Sequence, residues 1–123
     1  MLIGIDVGGT NLVAAKINDS GQIINKVKAT VTHNDTADDL CRKILSIAKS
    51  AAGSDETIEA VGVGFPGLTD NATGTIIKTP NMPFNNTHFR DVFQKEWDVP
   101  VYIGNDANCA AVGEFCAGDM ILR

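Results

Sequence analysis

Two short segments carry residues suited to phosphate chemistry. The first is Asp6-Val7-Gly8-Gly9-Thr10-Asn11, where an apolar run ends in two glycines and a hydroxyl residue before a second apolar run begins. Glycines permit positive φ and close backbone approach, so successive N–H groups point at a phosphate while the Thr10 hydroxyl adds a donor. Asp6 supplies an acidic oxygen toward a magnesium ion, through water because Mg²⁺ keeps much of its hydration. A plain hairpin that uses its glycines only for the turn is the competing reading. The second segment is Gly104-Asn105-Asp106-Ala107-Asn108, short polar side chains between a strand-like run and a helix-like one. Asp106 is suited to accept the proton of an attacking alcohol, and Asn105 offers a donor and an acceptor to neighbouring hydroxyls. In-line phosphoryl transfer needs little beyond a positioned alcohol, a base and neutralised phosphates. Here the competing reading is a helix cap supplied by Asn105 or Asp106.

Gly62-Val63-Gly64-Phe65-Pro66-Gly67 matches the spelling of the GxGxxG dinucleotide fingerprint. Pro66 lacks a backbone donor, however, and a Gly/Asn/Thr-rich stretch follows where that fingerprint needs a helix. The segment reads instead as a buried strand whose Pro-Gly end turns sharply. His33 and His88 are far apart without further metal-type residues, so both are expected to face solvent. The three cysteines, Cys41, Cys109 and Cys116, are odd in number and lack CxxC spacing. They are read as reduced thiols, with Cys109 and Cys116, seven apart on one helix face, packed as small apolar residues.

The elements that position these residues follow from periodicity. Leu2–Val7 and Asn11–Ile17 read as a hairpin, and Ile23–Thr32 as a third antiparallel strand after the Asn18-Asp19-Ser20-Gly21 turn. Ala37, Leu40, Cys41, Ile44, Ile47, Ala48 and Ala51 recur at helical spacing, with Gly53 as terminator. Ile58–Phe65 is a buried strand, and the helical crossover favours parallel pairing. Pro66–Asn86 reads as an ordered loop holding the brief β-branched Thr75-Ile76-Ile77. Phe89, Val92, Phe93 and Trp97 trace one face of a helix capped by Asn86 or Thr87; Val99–Ile103 is a fifth strand and Ala107–Ala117 a last helix. The predicted class is α/β, a mixed five-stranded sheet in the order β-β-β-α-β-α-β-α.

The chain has 123 residues, a single-domain length, with 10 Lys and Arg against 15 Asp and Glu and a net charge of -5. No basic cluster offers a face to nucleic acid, so no nucleic-acid partner is expected. No membrane span or signal peptide is legible, which predicts a cytoplasmic protein.

DVGGTN near the amino terminus, GVGFPG at mid-chain, Pro80-Asn81 in the loop and GNDANCAAVGE after a strand together resemble the first lobe of ROK (repressor, open reading frame, kinase) sugar kinases, notably bacterial glucokinases. The resemblance covers essentially all 123 residues. It implies a ribonuclease H-like lobe of the actin and hexokinase type, and ATP with Mg²⁺ as the phosphate source for a hexose, the glucose 6-hydroxyl first among the candidates. By position it makes Gly8, Gly9, Thr10 and Asn11 the first phosphate loop, with many members carrying Lys where Asn11 stands. Asp106 becomes the catalytic base, and Asn105, Gly67 and Asn81 line the sugar pocket beside it.

The resemblance also implies a second lobe with further sugar-binding residues, the other half of the ATP cleft and, in many members, a zinc site. Residues 1–123 are then expected to be one amino-terminal lobe, inactive alone. The full-length protein would be a homo-oligomer whose dimer contacts lie mostly elsewhere. Kinases for glucose, fructose, mannose and N-acetylmannosamine would share these motifs. A sugar-sensing regulator of the same family is disfavoured by the absence of room for a helix-turn-helix before Asp6. A non-catalytic actin-like module is disfavoured by Asn105 and Asp106 in one strand-to-helix corner.

Overall fold

The computed structural model describes residues 1–54 and 58–105. The amino-terminal half opens with β1 (Leu2–Val7), β2 (Asn11–Ile17) and β3 (Ile23–Thr30), paired antiparallel in sequence order. Helix α1 (Ala37–Ala52) crosses over to β4 (Ala60–Phe65), which lies parallel to β1. The last described strand, β8 (Val101–Asn105), lies parallel to β4, so the main sheet runs β3-β2-β1-β4-β8. The mixed five-stranded sheet expected from the sequence is present.

Helix α1 begins at a reciprocal cap. Thr36 Oγ1 accepts from the Asp39 N–H at 3.1 Å, and Asp39 Oδ2 accepts from the Thr36 N–H at 2.9 Å, so two otherwise orphaned donors are satisfied. The Thr36 backbone N–H, with the Thr36 hydroxyl and Arg42 adding to it, holds the Asp39 carboxyl below its usual range. The helix buries Leu40, Cys41, Ile44, Ile47, Ala48, Ala51 and Ala52 against β1, β2 and β3. It stops at Gly53, whose φ of 66° suits glycine. Burial pushes the Cys41 thiol up to about 11, with the nearby Asp38 charge acting in the same direction, so this cysteine packs as a neutral apolar group.

The segment 66–87 differs from the expected loop with one small strand. It forms a second sheet of three antiparallel strands, β5 (Leu68–Asp70), β6 (Thr75–Lys78) and β7 (Asn85–Thr87). β5 and β7 have three residues each, too short to show a period in a stretch rich in turn residues. The described order is therefore β-β-β-α-β-β-β-β-α-β, and the expected last helix with Cys109 and Cys116 lies outside the described residues.

Helix α2 (Phe89–Glu96) buries Phe89 and Phe93. Phe65, on β4, meets Phe84 and Phe89 edge-on at centroid distances of 5.5 and 4.9 Å, and Phe93 and Trp97 continue the run of rings along α2. Two details of the expected helix change. Val92 is exposed, because the buried face uses the i, i+4 pair Phe89 and Phe93 alone. The cap position is His88, without a side-chain cap bond, and not Asn86 or Thr87, because β7 extends through Thr87. The last strand starts at Val101 instead of Val99; Pro100 has no N–H to give the ladder, although its carbonyl accepts from Val61 at 2.9 Å. No described helix is long and apolar enough to cross a membrane.

Candidate functional site

The parallel register brings the first chemistry-bearing segment and the described start of the second, Gly104-Asn105, to the same end of the sheet. Asp6 on β1 pairs with Gly64 on β4, and Gly64 pairs with Gly104 on β8. One step further, Phe65 pairs with Asn105. The Gly8-Gly9-Thr10 turn and the Pro66-Gly67 turn therefore leave the carboxyl ends of strands neighbouring the end of β8 at Asn105, where open α/β sheets hold their ligands. Asp106, next in sequence, lies outside the described residues.

On the β1–β2 side, the turn is closed by the Gly8 N–H on the Asn11 carbonyl at 2.9 Å, and the Thr10 carbonyl accepts from Val31 at 2.9 Å. Asn11 Nδ2 donates to Thr10 Oγ1 at 3.2 Å, leaving the Thr10 hydroxyl its own proton to donate. Asp6, Gly9, Thr10 and Asn11 are exposed. The glycines do not act as expected. Neither Gly8 nor Gly9 has left-handed backbone; among the described residues that belongs to Gly21, Gly53, Gly67, Gly74, Asn81 and Asn86. Gly8 is small because a Cβ there would sit 3.1 Å from the Asn11 carbonyl oxygen. A Cβ on Gly9 would have nothing within 4 Å, so that glycine leaves an open approach to the backbone.

The Gly67 side is built the opposite way. Gly67 has φ of 92°, and a Cβ there would run into the Lys78 carbonyl and lie 3.1 Å from both Pro80 Cδ and Thr79 Cα. This close approach presses the β4–β5 turn onto the segment leading to Asn81, so Gly67 and the Pro80-Asn81 turn share one wall. Asn81 is exposed with φ of 57°. Beneath it the buried Thr79 hydroxyl lies 3.4 Å from the carbonyls of Met82 and Phe84, which holds the turn from inside.

No group of three or more His, Cys, Asp or Glu side chains among the described residues forms a metal cluster. His33 and His88 are exposed as expected, and His88 Nδ1 lies 3.2 Å from Thr75 Oγ1. Sequence reasoning passed over Thr79 and Arg90. Thr79 gave no signal. Arg90 gave one: a cation in the first turn of a helix opposes the helix dipole, so it calls for another partner.

The ROK family profile matches residues 2–120. The chain belongs to the ROK family. This ROK lobe is 31% identical to a glucokinase of Thermotoga maritima over 114 residues, covering 92% of the chain and 36% of the relative. It is 30% identical to a xylose repressor of Caldicellulosiruptor bescii over 122 residues, covering 96% of the chain and 31% of the relative. Among solved structures it superposes with a TM-score of 0.82 on a ROK glucokinase from Streptomyces griseus, solved with glucose and AMPPNP, at 31% identity over 95% of this chain and 36% of that one. The ROK chain thus has the actin-like ATPase lobe and spans about a third of the length of the relatives it matches.

Proposed function

We propose that this lobe serves an ATP-dependent hexose kinase, with the 6-hydroxyl of glucose as first acceptor, and that residues 1–123 need a second lobe to act. The observation that carries the reading is the register Asp6–Gly64–Gly104, which sets an exposed glycine turn and the strand leading to Asp106 two strands apart on one sheet edge. Glucokinases at 31% identity among the relatives support it. The Gly8–Asn11 turn offers N–H groups and the Thr10 hydroxyl to the ATP phosphates. Magnesium, bound largely through water, would neutralise phosphate charge; one exposed carboxylate, Asp6, fits that outer-sphere role. Gly67, Asn81 and Asn105 hold the sugar. Asp106 accepts the hydroxyl proton as the sugar oxygen bonds to the γ-phosphorus and the bond to the β–γ bridging oxygen breaks, releasing ADP.

The test is Asp106→Asn in the complete protein, assayed by ADP release with glucose. Phosphorylation is expected to fall by about 10²- to 10⁴-fold, with glucose KM little changed, and residues 1–123 alone are expected to turn over no glucose. Undiminished phosphorylation by Asp106→Asn would sink the assignment.

The similarity to a xylose repressor favours one second reading, a sugar sensor on the same lobe. A complete protein that binds a sugar and operator DNA but transfers phosphate to no hexose would establish that reading instead.

A further inference from the structure

Arg90 is the second residue of α2, yet its guanidinium turns back from the helix onto backbone carbonyls. Nε donates to Val101 at 2.9 Å, Nη1 to Ala72 at 2.8 Å and Nη2 to Asn71 at 2.8 Å. Its own N–H donates to the Gly74 carbonyl at 3.1 Å. These four bonds join three elements: the 71–74 turn between β5 and β6, the start of α2 and the first residue of β8. The planar fork of arginine supplies several fixed donors at once, which lysine cannot.

The turn is fitted to this side chain. Gly74 has φ of 71°, and a Cβ there would run into Arg90 Cβ and lie 3.0 Å from Arg90 Cζ. Asp70 closes the turn, its carbonyl accepting from Gly74 at 2.9 Å and its carboxylate from Ala72 at 3.1 Å.

The β5–β6 hairpin therefore acts as a lever clamped at one end. Its far end, the 71–74 turn, is held to the start of β8. Its near end is the Leu68–Lys78 pair, directly beside Gly67 and the Thr79–Asn81 turn. β8 runs from the clamp at Val101 to Asn105. One guanidinium thus fixes the wall carrying Gly67 and Asn81 against the strand that leads into Asp106. None of its four bonds reaches β1 or β2, from which the Gly8–Asn11 turn hangs.

We propose that Arg90 is a positioning residue for the sugar half of the site, setting sugar affinity and alignment through the hairpin without serving the nucleotide half. The proposal rests on the kinase reading above. A residue that only held the fold together would lower thermal stability and leave both substrate constants alone, or disturb both together.

The test measures glucose KM, ATP KM and kcat for Arg90→Gln, Arg90→Lys, Gly74→Ala and the Arg90→Gln/Gly74→Ala pair in the complete kinase. In Arg90→Gln, kcat/KM for glucose is expected to fall by about 10- to 100-fold, the scale of a small misplacement of bound substrate. ATP KM is expected to stay within about two-fold. Arg90→Lys should lie between Arg90→Gln and the wild type. Gly74→Ala should shift the same constant, and the pair should lose less than the sum, because both changes break one seat. Native kcat/KM for glucose in Arg90→Gln overturns the proposal, as does an equal rise in the glucose and ATP KM values. If Arg90→Gln does not fold, Arg90→Lys is read by the same criteria. Failure of the kinase reading is separate and shows as a wild-type complete protein that phosphorylates no hexose. In that case glucose and ATP dissociation constants from calorimetry replace the KM values, with the same outcomes deciding.

Discussion

The Gly8–Asn11 turn and the Gly67–Asn81 wall both rely on glycine and asparagine, but for opposite physical reasons. In the first, the backbone is ordinary and the absence of a side chain at Gly9 leaves space. In the second, the backbone is left-handed at Gly67 and Asn81, and the absence of a side chain at Gly67 lets two chain segments touch. One glycine leaves open space over the backbone; the other removes room between parts of the protein. A glycine in a site thus serves either access or assembly, and only coordinates tell which.

Substitutions can break or sharpen that contrast. The largest effect is expected at the wall. Gly67→Ala forces a Cβ onto the Lys78 carbonyl at φ of 92°, and is expected to cost on the order of 3 kcal/mol, read as a lowered urea and thermal midpoint of the complete protein. A midpoint within experimental error of wild type would erase the distinction. Next comes Gly9→Ala, expected to change stability by no more than about 0.5 kcal/mol, because its Cβ meets nothing. Its effect should appear in ATP KM, raised about ten-fold by one weakened charge-assisted hydrogen bond, with glucose KM unchanged. The smallest effect is expected for Asn81→Gly. Relief of left-handed strain and the added freedom of the unfolded chain roughly cancel, leaving stability within about 0.5 kcal/mol. A large loss there would show that the loop depends on the Asn81 side chain and not on its backbone.

The two halves of the lobe differed in the same way in how legible they were. The strands β1, β2 and β4 and the helix α1 were plain, because long apolar periods and the Gly53 stop are local signals. The second sheet was not, since β5 and β7 are short and pair through turn-rich sequence; both pair with β6, and Thr75-Ile76-Ile77 is the sheet's one consecutive β-branched run. The α2 cap failed for a related reason: Asn86 and Thr87 suit a cap by residue type, but both belong to β7. At the site, parallel pairing after the helical crossover was legible, but not the strand order that sets Asp6 two strands from β8. Nor were the roles of Gly8 and Gly9, because residue type alone cannot separate a glycine needed for its φ from one needed for its missing Cβ. Arg90 escaped because its partners are carbonyls, which every residue carries and no sequence pattern marks.

The strand order β3-β2-β1-β4-β8 has a consequence for synthesis on the ribosome. Each strand, as it emerges, meets a free edge of the sheet already laid down: β2 on β1, β3 on β2, β4 on the other side of β1, and β8 on β4. No described strand of this sheet has to wedge between two others, so a growing chain need not undo pairing already made among them. Among the described strands, the β4–β8 pair is the last that the emerging chain can complete.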